Sequence, residues 1–389
     1  MPPLASRLDI LSESMINEMH VLADRTWAIN LASGYPDFDP PEELLQAAER
    51  ALRSGYNQYA IPWGAYSLRC ALAEKCSRFM GLEIDPDAHV TVTTGSTEAM
   101  MAVILAICNP GDKLILFSPF YENYAPDILL AGAEPIFVSL RPPDLTFDPD
   151  ELRSAFGRGV KGLVLCNPSN PSGKVFTTEE LHSIATLAIE YDALVIADEV
   201  YEHIIYPPHH HTYIASLPGM FERTISCSSL SKTYSVTGWR LGYAIAPQYI
   251  TLAIRKLHDY LTLGTAAPLQ EAAVTALRFP DSYYTGLQSG YARRREIFLE
   301  ALDQAEMGYI PPEGTYFVLA DISRLGFDDD LAFCRWMAKE IGVAGVPGSY
   351  FFHEPVKHLV RLNFAKRDET LFEVGRRLLN ISSKSPKPG

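Results

Sequence analysis

The stretch TISCSSLSKTYSVTGWRLGYAIA, residues 224–246, decides the fold of this 389-residue chain. Its apolar runs Thr224–Cys227 and Leu241–Ala246 predict two strands, and the segment between them carries Lys232 and, eight residues later, Arg240. Side chains that follow a strand gather at the carboxyl edge of a parallel sheet, where ligands bind. We therefore expect Lys232 at a ligand site, although a lysine after serines is ordinarily a solvated surface residue.

Strand-like and helix-like segments alternate on the N-terminal side of this stretch, which is typical of an α/β layer with a mostly parallel sheet. A helix over Thr178–Glu190, for example, follows a cap signal at Thr177. Seven candidate strands in one continuous block predict a single seven-stranded sheet. Besides the two above, they are His89–Thr94, Lys113–Phe117, Pro135–Leu140, Gly162–Cys166 and Leu194–Ala197.

The pattern changes towards the C-terminus, where a charged helix over Tyr291–Ala305 precedes candidate strands at 314–321 and 358–365 that flank a helix over Leu331–Glu340. This mixture predicts a second, smaller α+β domain, because a chain of this length exceeds what one hydrophobic core usually supports. The predicted domains are an N-terminal segment over 1–40 that joins the small domain, a large domain over 41–287 and a small domain over 288–389.

Composition excludes several classes of function. The net charge of −14 argues against a surface for nucleic acid or anionic membranes, and no run of about 18 apolar residues predicts a transmembrane helix. Six scattered cysteines without CxxC pairs indicate neither a zinc site nor a disulfide scaffold, and are typical of a reducing, cytoplasmic compartment. His209–His211 follow two prolines without a partner at ligand spacing, so we expect a solvated loop and no metal.

The segment around Lys232 has the pattern SxSKxxxxxGxRxG, which resembles the lysine region of the class I/II aminotransferases, the pyridoxal-5′-phosphate (PLP) enzymes of fold type I. The resemblance implies that Lys232 forms the Schiff base with PLP and that Ser229 and Arg240 bind the cofactor phosphate. The chemistry agrees, because burial and a neighbouring cation favour the deprotonated amine that an imine requires. Hydroxyls and an arginine also suit a phosphate dianion.

An acid and a tyrosine, Asp198 and Tyr201, close the apolar run LVIADEVY. An acid at a strand end is often only a turn or cap residue. A PLP enzyme, however, needs a carboxylate that keeps the pyridine nitrogen protonated, so that the ring can accept electrons. Resemblance to the family's D-x-x-Y motif implies this role for Asp198, and implies that the Tyr201 phenol hydrogen-bonds the 3′ oxygen of the ring.

Two further motifs follow strands in the order that the family has them. NPSNPSG, residues 167–173, would form a turn in any protein, but it resembles the family's N-P-x-N-P-x-G loop, in which Asn170 reaches the 3′ oxygen and the substrate carboxylate. Gly95, Ser96 and Thr97 separate a strand from a helix, where backbone N–H groups form an anion site. The resemblance implies that this turn binds the phosphate, and that Tyr121 stacks on the pyridine ring.

Three residues near the ends of the motif-bearing region are implied to contact the substrate or a second subunit. Arg361 shares one face of the strand HLVRLNF with Leu359 and Asn363, and a buried guanidinium suits a carboxylate. By resemblance, Arg361 and the backbone of Gly34 bind the substrate's α-carboxylate. Tyr59 is implied to reach the partner subunit's cofactor phosphate, which predicts a homodimer with shared active sites.

The resemblance implies ping-pong transfer of an amino group from an L-amino acid to a 2-oxo acid, as in the kynurenine, glutamine, methionine and aspartate aminotransferases. Some aspartate enzymes place a lysine where this chain has Thr97-Glu98, and others an arginine in the segment that is uncharged here, residues 261–270. Together with Tyr35, which could wall an apolar pocket, this predicts neutral or aromatic donors. A cation such as Arg25 could still admit a dicarboxylate such as glutamate. A C–S lyase and an aspartate-specific aminotransferase remain alternatives.

Overall fold

The strands and helices below belong to a computed structural model that describes residues 2–142 and 144–385. The strands are β1 Ile29–Asn30, β2 Val90–Thr93, β3 Lys113–Ser118, β4 Glu134–Ser139, β5 Gly162–Cys166, β6 Leu194–Asp198, β7 Thr224–Ser229, β8 Gly242–Ile245, β9 Gly308–Ile310, β10 Phe317–Asp321, β11 Val343–Ala344, β12 Val346–Pro347 and β13 Leu359–Asn363.

The helices surround these strands. They are α1 Met15–Thr26, α2 Glu42–Arg53, α3 Tyr66–Met80, α4 Gly95–Ile107, α5 Tyr124–Leu130, α6 Pro149–Phe156, α7 Thr178–Glu190, α8 Leu230–Thr233, α9 Gln248–Leu261, α10 Ala267–Leu277, α11 Asp281–Gln304, α12 Asp330–Trp336, α13 Asp368–Leu378 and α14 Ile381–Lys384, with a π-helical turn, Met337–Ile341, directly after α12. None of the described helices is long and apolar enough to cross a membrane.

The large sheet has the strand order β2-β8-β7-β6-β5-β3-β4, in which β8 alone runs antiparallel to its neighbours. The predicted seven-stranded, mostly parallel sheet of an α/β fold is therefore confirmed. Nearly every residue of its central strands is buried, which explains the largely apolar sequences of β3, β5 and β6. Because β7 and β8 pair side by side, with Ser229 opposite Gly242, the segment that contains Lys232 is held at the C-terminal end of β7.

Local sequence signals predicted some helix bounds well and others poorly. The helix α7 has the predicted bounds, with a capping box in which the Thr177 hydroxyl accepts from Glu180 N and the Glu180 carboxylate accepts from Thr177 N. The helix α11, in contrast, begins at Asp281 and not at Tyr291 as predicted. Two glycines and several hydroxyl residues in its first ten positions lower helix propensity, but the buried Tyr284 compensates by packing on Phe79.

The smaller layer is an antiparallel sheet with the order β12-β13-β10-β9. The N-terminal strand β1 pairs in parallel with β11, and Met19 and Leu31 lie in the same core as Phe317 and Leu362. The N-terminal segment thus packs on the C-terminal part of the chain. The predicted limits 1–40, 41–287 and 288–389 stay a prediction, because α11 runs without a break across the second of these limits.

Candidate active site

A cavity of about 250 Å³ opens where β5, β6 and β7 end. Eleven of the residues predicted from the sequence line its wall, although they come from distant parts of the chain. They are Gly34, Ser96, Thr97, Tyr121, Asn170, Asp198, Tyr201, Ser229, Lys232, Arg240 and Arg361.

The amine of Lys232 lies at the centre of these residues, because α8 begins directly after β7 and carries the lysine on its first turn. Its Nζ donates to the backbone oxygen of Gly34 at 2.9 Å, and Gly34 O also accepts from Tyr316. Burial, followed by the charge of Arg240, lowers the pKa of the Lys232 amine from its ordinary 10.5 to about 8, while Asp198 opposes the shift. The amine is therefore partly deprotonated, and so nucleophilic, near neutral pH.

The carboxylate of Asp198 is buried at the end of β6. One oxygen accepts from the Tyr124 hydroxyl at 2.6 Å and the other from Val200 N at 3.3 Å. Burial raises the pKa of this carboxyl above its ordinary value. The Tyr124 hydrogen bond, the Val200 N–H and the charge of Lys232 oppose this shift. A protonated ring nitrogen would be a cation that stabilises the ionised form. The arrangement therefore fits the pyridine ring of PLP.

The first turn of α4 forms a cradle for an anion. Residues 95–97 form the first turn of α4, and no side chain caps its N-terminal N–H groups. A Cβ atom on Gly95 would lie 2.3 Å from Arg240 Nη2, and one on Gly242 would lie 2.3 Å from the carbonyl carbon of Gly95. The backbone contact requires glycine at position 242, and the φ of +78° favours glycine at position 95. Helix N–H groups, the guanidinium and the hydroxyl of Ser229 border one space, which fits a phosphate dianion.

The guanidinium of Arg361 is buried between the rings of Phe317 and Phe351, whose centroids lie 4.2 and 4.6 Å from its Cζ. It donates to Asn170 Oδ1 at 2.9 Å and to Ala32 O at 2.8 Å, whereas its buried Nε has no hydrogen-bond partner among the described residues. Burial lowers the pKa of the guanidinium to about 10, so that it is still charged at neutral pH. A buried cation with an unsatisfied N–H suits a carboxylate ligand.

Two phenols complete the wall around Lys232. The ring centroid of Tyr201 lies 5.9 Å from Lys232 Nζ, and the ring of Tyr121 packs edge-on against Tyr124 at 5.7 Å. Burial raises the pKa of both hydroxyls above its ordinary value. The two side chains are therefore neutral hydrogen-bond donors near pH 7, as expected for groups that contact a cofactor ring.

Tyr59 lies away from this cavity. Its side chain is 88% exposed and borders a surface depression that residues 262–268 also line. The placement leaves Tyr59 free to contact another molecule, so its expected contact with a partner subunit stays a prediction.

The histidine loop differs in part from the prediction. His210 is exposed, as expected of a solvated loop, but the imidazole of His211 is buried 3.5 Å from Glu199 and edge-on to Tyr213. The prediction is wrong for His211, because its contact with Glu199, directly after β6, could not be recognised from the loop alone. Within residues 2–142 and 144–385, no group of three or more His, Cys, Asp or Glu side chains could hold a metal.

Sequence reasoning missed several residues of the cavity. Tyr124 and Glu122 are neighbours of Tyr121, so that their position in the motif SPFYENY was a usable signal. Ile16 and Asn17, in contrast, reach the cavity from α1, and nothing in the N-terminal sequence marks them.

The fold, the lysine at a strand end, the buried acid and the anion cradle together fit a PLP-dependent enzyme. The family model for aminotransferases of class I and II matches residues 27–378. The chain belongs to this family. Class I and II aminotransferases with this fold use PLP as their cofactor.

Relatives cover nearly the whole chain. The methionine aminotransferase of Escherichia coli is 38% identical over 97% of this chain and 98% of its own length. Human kynurenine–oxoglutarate transaminase 1 is 34% identical, with coverages of 96% and 97%. The solved structure of N-succinyldiaminopimelate aminotransferase from Mycobacterium tuberculosis has a TM-score of 0.94 at 38% identity and covers 97% of this chain and 100% of that one. These similarities favour an aminotransferase over a C–S lyase.

Proposed function

We propose that this aminotransferase accepts neutral or aromatic L-amino acids as donors and returns the amino group to a 2-oxo acid in a ping-pong cycle. The observation that carries the proposal is the set of cations in the cavity. They are Lys232, Arg240 and Arg361, and the proposed cofactor and α-carboxylate contacts use all three. The described residues of this chain that line the cavity include no further cation for a carboxylate on the donor's side chain, and burying such a group unpaired is costly.

Each of the other groups has a proposed task. PLP, when bound, supplies the electron sink and carries the amino group between the two substrates. Arg361 and Asn170 hold the donor's α-carboxylate, while Asp198 stabilises the protonated ring nitrogen. In the PLP-loaded enzyme, Nζ of Lys232 would take the proton from the donor's Cα, for which its lowered pKa of about 8 is well matched. Tyr201 donates a hydrogen bond to the ring's 3′ oxygen.

The donor preference is tested by steady-state kinetics. We expect kcat/KM for phenylalanine or methionine to exceed that for aspartate by about tenfold or more, equivalent to some 1.4 kcal/mol of transition-state discrimination. The names of the relatives, which include methionine and kynurenine transaminases, support this expectation. A preference for aspartate of more than about tenfold would contradict it.

A homodimer with shared active sites is also proposed. Exposed apolar side chains occur close in sequence to the residues that line the depression beside Tyr59, and a second copy of the chain would cover them. They are Leu52, Tyr56, Ile61, Tyr66, Tyr260, Leu261 and Leu263.

The variant Tyr59→Phe tests the shared site. Loss of a hydrogen bond to the partner subunit's cofactor phosphate should weaken PLP binding about tenfold, without changing the fold of the subunit. The dissociation constant of PLP is measured by absorbance, and the assembly by light scattering. Tyr249→Phe, an exposed tyrosine elsewhere on the surface, serves as the matched control. A stable monomer with full activity would contradict the proposed homodimer with shared active sites.

The compartment stays a proposal as well. All six cysteines are free thiols, including the buried Cys76, Cys227 and Cys334. This supports the reducing, cytoplasmic environment predicted from the sequence.

A further inference from the structure

Glu122 is an acid that the proposed mechanism does not use. It follows Tyr121 directly and its side chain lines the same cavity as Lys232 and Arg361. Burial is the largest effect and raises the pKa of its carboxyl above the ordinary value, whereas hydrogen bonds from Ser14 and Tyr350 and the charge of Arg361 oppose the shift. The other ionisable acid of the cavity, Asp198, is already matched to the cofactor ring.

The contacts of Glu122 place it on the wall that the N-terminal helix forms. The Ser14 hydroxyl lies 3.1 and 3.0 Å from its two oxygens. Ser14 is also the N-cap of α1, because its Oγ accepts from Asn17 N at 3.3 Å. Ile16 and Asn17 of α1 line the cavity next to this contact. Glu122 therefore lies where the N-terminal helix meets the wall of the cavity.

The charge of Glu122 is not neutralised by a direct partner. Ser14 is a neutral donor, so its hydrogen bond stabilises the carboxylate without cancelling the charge. Among the described residues, Arg361 is the cation whose charge acts on Glu122, and Arg361 is needed for the donor's α-carboxylate. A second carboxylate brought into this cavity would meet an anion and no free cation, which is strongly unfavourable at low dielectric.

We propose that Glu122 is a specificity-determining residue that excludes amino donors with an anionic side chain. The inference rests on the proposed function and deepens it, because it assigns the discrimination to one carboxylate. A dicarboxylate binds weakly because no free cation pairs with its second carboxylate. Repulsion by the Glu122 carboxylate weakens its binding further. Neutral side chains meet no such repulsion.

Binding of matched ligands to the PLP-loaded protein isolates this effect from turnover. Glutarate and valerate have the same chain length and differ by one carboxylate. Their dissociation constants are measured from the change in PLP absorbance. Glu122→Gln keeps the size of the side chain and removes its charge. It should tighten glutarate binding about tenfold and leave valerate binding within about twofold. The ratio of kcat/KM for glutamate to that for methionine should rise by a similar factor.

Glu18→Gln is the matched control, because it makes the same substitution at an exposed carboxylate of α1 outside the cavity and leaves Glu122 and its hydrogen bond to Ser14 in place. Its ratio of glutarate to valerate affinity should stay within about twofold of the wild-type ratio. An equal shift in Glu18→Gln and Glu122→Gln would assign the effect to the overall charge near α1 and overturn the proposal. An unchanged ratio in a folded, PLP-loaded Glu122→Gln would also overturn it.

The wild-type protein provides a test that does not depend on the folding of a variant. It should bind glutarate at least about tenfold more weakly than valerate, and equal affinities would overturn the proposal. Failure of the proposed function has a different signature, namely a wild-type preference for aspartate over phenylalanine and methionine. The comparison between Glu122→Gln and wild type is independent of that result.

Discussion

Replacing Lys232 by alanine should lower kcat by ~10⁴-fold or more, because it removes both the nucleophile that holds the cofactor and the base that moves the Cα proton. The subunit should still fold, since the amine makes one hydrogen bond, to Gly34 O. PLP should still bind through the phosphate cradle formed by residues 95–97 and Arg240. The measurements are kcat in the preferred half-reaction and PLP content after gel filtration.

The control for this variant is Lys256→Ala, which removes an exposed lysine of α9 outside the cavity. Its turnover should equal that of the wild type. If Lys232→Ala retained turnover within about tenfold of wild type, Lys232 could not be the residue that carries the chemistry.

Replacing Lys75 by alanine should lower the free energy of unfolding by ~3–5 kcal/mol, which is the usual effect of removing one partner of a buried ion pair. Lys75 of α3 forms a hydrogen-bonded ion pair with Glu202, and the two side chains are 4% and 5% exposed. Tyr213 and Tyr243 also donate to the Glu202 carboxylate. Burial opposes ionisation of Glu202, but Lys75 and the other partners lower its pKa to about 2.

Urea unfolding followed by circular dichroism measures this loss. Arg153→Ala is the control, because the Arg153–Glu190 pair is exposed and should contribute less than about 1 kcal/mol. The double variant Lys75→Met/Glu202→Gln should recover part of the loss, since it leaves no unpaired buried charge. A loss below about 1 kcal/mol in Lys75→Ala would show that Glu202 finds other partners.

Features that depend on neighbouring residues were predictable from the sequence. The helix α7 has its expected bounds because its capping box lies within four residues, and β3, β5 and β6 were recognisable because burial on both faces makes them largely apolar. The phosphate cradle and the lysine belong to contiguous motifs. The structure brings residues 95–97, Lys232 and Arg240 together as those motifs imply, although their roles stay proposals.

Features that depend on distant packing were not predictable. Glu122 and Ser14 meet across 108 positions of sequence, and no local pattern at either residue indicates the contact. The same holds for His211, whose imidazole lies against Glu199. It also holds for the first turns of α11, which have low helix propensity and are stabilised by the burial of Tyr284. In each case the stabilising contact is tertiary, so that local propensity carries little information about it.

Covalent attachment of PLP to Lys232 is tested by reducing the PLP-loaded protein with borohydride, digesting it and analysing the peptides by mass spectrometry. Reduction converts the Schiff base to a stable secondary amine. The peptide that contains Lys232 should therefore gain one phosphopyridoxyl group, and Lys232→Ala should yield no modified peptide. PLP found on a different lysine, or no PLP trapped in the wild-type protein, would contradict the assignment of Lys232.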